Sequence, residues 1–445
     1  MTNTYLPLIR HTRLDEIAAY RHAQAIDVAQ FLAELASVAA VLPQRGHVLN
    51  LCSDRFRFAV GFAAALMRQQ ISLLPPNHTP ELIARLGDQY PDVYCLTDAV
   101  SPHPLLESVT YPEQIARGQK VPAIPAFAAT QVAAHVFTSG STGQPMPHVK
   151  TWGSLVASTL AAGARLGVSA FSGATVLGTV PPQHMYGLES TVLLPLQHGL
   201  ALHAERPFYP GDIAASLEEM PRPRILVTTP VHLRALLADS AALPPVDFLL
   251  CATAPLSPQL AVAAETRFAA PLYEIYGCTE AGQVAVRRTV QGAQWVALDG
   301  IRVHQDERGT WAVGGPVEIP APLNDVIEVQ GPGRFLLHGR LADLVNVAGK
   351  RTSLAHLNYH LNSIEGVRDG VFVMPETEDN GVTRLMAFVV APGLTAEDIT
   401  AALRQRIDAA FLPRPLHLVE ELPRNATGKL PREAVNRLSA TVSER

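Results

Sequence analysis

Phe137-Thr138-Ser139-Gly140-Ser141-Thr142-Gly143 follows the apolar run beginning at Ala133, so a strand is expected to deliver a turn made of hydroxyls and glycines. Two glycines let the backbone come close to a phosphate, and the N–H groups and hydroxyls can wrap it. The spacing is not that of a Walker loop, because no Gly-x-x-x-x-Gly-Lys-Ser/Thr occurs. Alone, such a cluster is most often an ordinary turn. A second segment far downstream changes its weight: Pro423-Arg424-Asn425-Ala426-Thr427-Gly428-Lys429 offers one ammonium on a turn of small residues. The pairing points to ATP chemistry.

The runs around the first segment set the fold class. Val28, Phe31, Leu32, Leu35, Val38, Ala39 and Leu42 recur at helical spacing over Ile26 to Leu42, stopped by Pro43, and Asp54 to Gln70 reads as a second helix. Short apolar runs then alternate with helical stretches: Ile71 to Leu74, Val93 to Leu96, Ala133 to Thr138, Ala174 to Val180, Arg224 to Thr228 and Phe248 to Ala252. Strands interleaved with helices predict an α/β body with a largely parallel sheet covered on both faces. Beyond roughly Trp311 charge becomes denser, and Val326 to Val329 and Arg334 to His338 flank the turn Gly331-Pro332-Gly333. The expected division is a large domain over 1–339 and a small α+β domain over 340–445.

Bulk composition narrows the function. With 445 residues, 48% hydrophobic and 17% charged, the chain has material for more than one buried core. A net charge of −5 and no basic cluster with interleaved aromatics argue against nucleic acid as a partner. Cys52, Cys95, Cys251 and Cys278 form no C-x-x-C pair, so neither a disulfide framework nor a zinc site is indicated, and a reduced cytoplasm is expected. Charges interrupt Met1 to Tyr20, and no uncharged stretch is long and apolar enough to span a bilayer. Only four lysines occur, Lys120, Lys150, Lys350 and Lys429, amid many arginines. Where Arg is the default cation, a compact ammonium able to touch phosphate and carboxylate in turn stands out.

Tyr276-Gly277-Cys278-Thr279-Glu280, after the expected strand Leu272 to Ile275, brings an aromatic plane, a hydroxyl and a carboxylate together. Those groups can stack on a base, bind a phosphate oxygen and hold Mg²⁺. The plain alternative is a loop with a capping carboxylate.

In order and spacing, these segments resemble the AMP-forming adenylating superfamily of acyl- and aryl-CoA synthetases, peptide-synthetase adenylation domains and luciferase. The match runs from about Phe137 to Lys429. The resemblance implies that Thr138, Ser139, Gly140, Ser141, Thr142 and Gly143 form the phosphate loop, and that Ile275, Tyr276, Gly277, Cys278 and Thr279 border the nucleotide. Glu280, with Thr138, would hold Mg²⁺. Asp325 would bind the ribose hydroxyls with support from Arg340, Asp343 would be the hinge, Gly349 would lie by the thiol tunnel, and Lys429 would be the mobile catalytic lysine.

Pro181-Pro182-Gln183-His184-Met185-Tyr186-Gly187 resembles the acyl-pocket segment, in which His184 gates and Tyr186 lines the pocket; the two are expected to converge on an acid or phenol. Cys251-Ala252-Thr253-Ala254-Pro255 matches the small-residue wall, with Ala252, Thr253, Ala254 and Gly277 leaving room for a ring. Two departures stand out. Met146, not Lys, follows Pro145, so Lys150 is expected to supply the missing contact to pyrophosphate; and Leu344 stands where the hinge usually has a second acid.

The implied reaction is ATP-dependent formation of an acyl-adenylate, then transfer to a phosphopantetheine thiol. The compact chain is similar to the stand-alone ligases of aryl polyene and xanthomonadin pigment clusters, which implies an aromatic acid such as 4-hydroxybenzoate and an acyl carrier protein. An aryl- or acyl-CoA ligase is the alternative. A luciferase-like oxygenase would consume oxygen, and a non-catalytic nucleotide-binding module would bind ATP without pyrophosphate exchange.

Overall fold

The computed structural model describes residues 4–99, 103–113, 123–139, 145–239, 242–340, 344–347, 350–374, 385–424, 430, 434 and 437–438. The first expected helix runs Val28–Val41 and begins at a capping box: Asp27 accepts from the Gln30 N–H at 2.7 Å, while the Gln30 side chain accepts from the Asp27 N–H at 3.2 Å. The second is Arg55–Met67, capped by Asp54. Val28, Phe31, Leu32, Leu35 and Val38 are buried against the second helix and the sheet, as their spacing requires.

Two large sheets form the body. The first orders its strands Pro145–Thr151, Val132–Ser139, Ile71–Leu74, His47–Asn50, Tyr94–Thr97 and Ser108–Thr110. All its pairs are parallel except the first, a hairpin in which Thr138 faces Met146 and Val136 faces His148.

The second sheet has eleven strands. Its centre is parallel: Ile17–Arg21, Ala201–His203, Thr175–Gly178, Arg224–Thr228, Phe248–Cys251 and Leu272–Cys278 lie side by side. From Gly282–Arg287 onward the pairs are antiparallel, through Trp295–Ala297 and Arg334–Arg340 to Asp325–Gly331. The body is therefore parallel through the centre of both sheets, as expected, with an antiparallel extension on the second. The turn after Cys278 holds three residues, and a parallel return needs a crossover of about a dozen.

The last part is a small α+β unit. Strands Asp369–Val373, Met386–Val390 and Leu416–Leu418 form a sheet packed by helices Leu354–Asn362 and Ala396–Arg404. Its core, with Leu357, Leu361, Phe372, Ala387, Ile399 and Leu403, is built wholly from residues beyond 344. The body's cores draw only on residues before 340. The molecule is thus a large α/β body followed by a small α+β unit.

Candidate active site

The C-terminal ends of the parallel strands lie on one edge of the second sheet, where such sheets bind ligands. Pairing of Gly178 with Val227, Thr228 with Cys251 and Cys251 with Glu274 brings the segments after each strand to that edge. Those segments are Thr179 to Gly187, Ala252 to Ala254, and Tyr276 to Glu280.

The last of them is not a loop throughout. The strand continues to Cys278, so Tyr276, Gly277 and Cys278 belong to a hairpin, and only Thr279, Glu280 and Ala281 turn. Gly277 is fixed by close approach: an added Cβ would collide with the Gly282 carbonyl and stand 3.1 Å from Gln283 Cα. Tyr276 is 8% exposed. Its ring packs against Trp295 and Phe335, each 5.7 Å away, and its hydroxyl donates to Asp325 Oδ2 at 2.6 Å. Asp325 is paired across the strands with Arg340. Three residues expected at the nucleotide site are therefore joined, Tyr276 and Asp325 by a hydrogen bond and Asp325 and Arg340 by register.

The phosphate side is held by the 132–139 and 145–151 hairpin. His148 Nε2 lies 3.0 Å from Thr138 Oγ1 and 4.0 Å from Glu280 Oε1, so it stands between the two residues expected to meet Mg²⁺. Burial lowers the pKa of this imidazole, against the pull of Glu280. His148 was missed in the sequence, although its signal is its place two residues before Lys150 on the same strand face.

Mg²⁺ takes one or two protein oxygens plus phosphates and water. A threonine hydroxyl and a partly exposed carboxylate flanking one imidazole fit that demand. Among the described residues no cluster of three or more His, Cys, Asp or Glu forms an all-protein cage.

Lys150 lies under the 279–281 turn. Its ammonium donates to the Glu280 backbone carbonyl at 2.7 Å, and the residue is only 6% exposed. Burial lowers its pKa, with Glu189 the strongest opposing charge. In this structure it points into the protein and braces the turn. Cys278 is inert for a related reason: burial, reinforced by Glu280, pushes its thiol up to about 12.

On the acyl side, His184 caps a short helical turn, Met185–Gly187, and its N–H donates to the Pro181 carbonyl at 3.3 Å. The Tyr186 hydroxyl donates toward the Thr228 and Leu250 carbonyls at 3.2 and 3.1 Å. Its polar end thus anchors the turn to two strand ends. Ala252 is buried, while Thr253 and Ala254 are half-buried. Thr253 holds φ +83°, a left-handed backbone that costs a β-branched residue about 1–3 kcal/mol and clusters at binding sites.

Arg55 is another residue that sequence reasoning missed. Fully buried, its guanidinium donates to the carbonyls of Gly178, Val180, His203 and Glu205 and to Thr191 Oγ1. It fixes the chain just before Pro181 to His184, and nothing in an apolar helical run announces that task. Gly140, Ser141, Thr142, Gly143, Asp343, Gly349 and Lys429 lie outside the described residues, as do the side chains of Ser139 and Arg340.

Comparison with known proteins matches this geometry. A profile described as AMP-binding enzyme covers residues 15–328, and one described as AMP-binding enzyme C-terminal domain covers 361–429. The chain belongs to the AMP-binding enzyme family, and it is an ATP-dependent, AMP-forming ligase.

A 4-coumarate–CoA ligase of Rhodobacter capsulatus is 31% identical over 307 residues, covering 68% of this chain and 76% of that protein. A 4-hydroxybenzoate–CoA/benzoate–CoA ligase of Rhodopseudomonas palustris is 24% identical over 358 residues, with 69% and 64% covered. The o-succinylbenzoate CoA synthetase of Bacillus subtilis, solved with its acyl-adenylate, shares the fold at TM-score 0.82, 16% identity and coverage of 97% and 98%.

Proposed function

We propose that this ligase activates a small aromatic carboxylic acid, such as 4-hydroxybenzoate, and passes the acyl group to the phosphopantetheine thiol of an acyl carrier protein. The observation that carries the reading is that the Leu272–Cys278 strand and its turn bring Tyr276 to Asp325 and Glu280 to His148, which in turn meets Thr138 of the first sheet. In the first step a carboxylate oxygen attacks the α-phosphorus of ATP and pyrophosphate leaves. In the second the thiol sulfur attacks the acyl carbon, its proton goes to solvent and AMP leaves.

Positioning and charge neutralisation carry such chemistry. Tyr276 presents its ring to adenine, Asp325 and Arg340 take the ribose, and Thr279 with the phosphate loop, Thr138 to Gly143, takes phosphate oxygens. Mg²⁺, when bound by Glu280 and Thr138, neutralises phosphate charge. Lys429 bridges the carboxylate and α-phosphate in the first step and withdraws for the second through rotation at Asp343, which brings Gly349 to the thiol path. The separate cores on either side of residue 340 support a division into 1–339 and 340–445 and a mobile tail.

Ala252, Ala254 and Gly277 leave space for a ring beside His184, which gates it. The relatives named for 4-coumarate and 4-hydroxybenzoate support an aromatic acid. Their names equally support CoA as the acceptor, which is the second reading. Among the described residues no helix is long and apolar enough to cross a membrane, in keeping with a reaction among water-borne partners.

Acid-dependent ATP–pyrophosphate exchange over benzoates, cinnamates and fatty acids tests the substrate class, and exchange driven best by a fatty acid would refute the aromatic reading. Thioester formation with carrier protein against CoA tests the acceptor. Lys429→Ala is expected to lose exchange by roughly 10² or more while still binding ATP, because its contact is made in the transition state. Near-normal exchange would remove Lys429 from that role.

A further inference from the structure

A buried lysine and a buried glutamate meet the hairpin turn that carries Thr279 and Glu280. From one side, Lys150 donates to the Glu280 carbonyl at 2.7 Å. From the other, Glu189 lies in a π-helical turn, Leu188–Leu193, at 1% exposure. Ser158 Oγ donates to Glu189 Oε1 at 2.6 Å, and the backbone and side-chain N–H groups of Gln283 donate to the same carboxylate. Gly282, with φ +79°, presses so close that an added Cβ would stand 3.0 Å from Glu189 Oε1.

The turn is therefore gripped at both ends, at residue 280 by an ammonium and at residue 283 by a buried carboxyl group. Neither grip uses Thr279 Oγ1 or the Glu280 carboxylate. A buried ionisable group is expensive unless it is hydrogen-bonded, and two are committed here to one six-residue segment, Cys278 to Gln283.

We propose that Lys150 and Glu189 are positioning residues for adenylate formation, clamping the Cys278–Gln283 turn so that Thr279 and Glu280 face the nucleotide phosphates. The inference rests on the adenylation reading above. It assigns Lys150 to the protein side of the site and gives Glu189 a part that no motif marks. Lys150→Met keeps the stem and removes the donor, Lys150→Arg keeps a donor, Glu189→Gln keeps an acceptor, and Glu189→Ala removes it.

Hydrogen–deuterium exchange of the intact protein without nucleotide reads the clamp apart from catalysis. Amides of 279–283 are expected to exchange about tenfold faster in Lys150→Met and Glu189→Ala, less in Lys150→Arg and Glu189→Gln, with the 369–390 strands unchanged. Calorimetric affinity for Mg·ATP is expected to fall about tenfold in the first pair, with the KM values for acid and pyrophosphate within about twofold of wild type.

Unchanged exchange at 279–283, or a rise confined to the KM for pyrophosphate, overturns the proposal. Wild-type protein without acid-dependent pyrophosphate exchange would instead sink the adenylation reading, whatever the amides show.

Discussion

Tyr276 does two jobs at once. Its ring is packed by Trp295 and Phe335, and its hydroxyl holds the Asp325 carboxylate at 2.6 Å. Tyr276→Phe keeps the first and deletes the second, so a stability loss of about 1–3 kcal/mol is expected, with a higher KM for ATP and an unchanged KM for the acid. Urea unfolding and steady-state exchange kinetics check it; an equal rise in both KM values would place the hydroxyl elsewhere. Gly277→Ala is harsher, because the new methyl meets backbone on the partner strand and no side chain can yield. Loss of about 1–3 kcal/mol and of measurable ATP binding is expected, read by thermal unfolding and calorimetry. These two residues were legible because their motif sits in a short, ordered stretch of sequence. Lys150 was only partly so: its scarcity marks it in the sequence, but its bond to the Glu280 carbonyl joins residues 130 apart, which no local pattern links. Met146, at the usual position, is 58% exposed, while Lys150 lies deep under the turn.

At the scale of elements, strand identity was readable and sheet membership was not. Ile71–Leu74 and Arg224–Thr228 have the expected bounds, since buried parallel strands read as short apolar runs. Which sheet each joins depends on contacts between residues far apart, and no local pattern records them. The strand Ile17–Arg21, with Arg21 and few large apolar residues, gave no period to follow, yet it extends the eleven-stranded sheet. The joint between body and tail was likewise hidden. Asp369, at the start of the tail's first strand, accepts both bonds of an Arg424 fork at 2.7 and 2.8 Å, and Arg234 of the body stands 3.8 Å away. Arg424 directly precedes the segment that ends in Lys429. Asp369→Asn leaves two guanidinium groups facing a neutral amide, so the tail is expected to lose about 1–3 kcal/mol. Proteolysis should then nick the tail sooner than the body; an unchanged cleavage pattern would show that the ion cluster adds nothing to the joint.

The molecule as a whole carries an acid weakness that the sequence does not display, since a histidine's burial cannot be read from its neighbours in the chain. His203 and His232 are 0% and 3% exposed. Burial pulls each imidazole from 6.5 to about 4. Among the described residues neither nitrogen of His203 has a hydrogen-bond partner, and Arg55 adds its positive charge nearby. His232 shares Nδ1 between Thr229 and Thr179 behind the acyl-pocket strands. In the folded state both rings stay neutral, whereas in the unfolded chain each takes a proton near pH 6.5. Stability is therefore complete above that value and declines as pH falls from about 6.5 toward 4. Each ring contributes up to about 3 kcal/mol of that decline at the bottom of the window. His203→Leu removes one titrating group from a site that offers it no hydrogen bond, so the variant should lose less stability than wild type between pH 7.5 and pH 5. Urea unfolding at the two pH values measures the difference. Equal losses in the two proteins would mean that His203 is already charged, or already exposed, in the native fold.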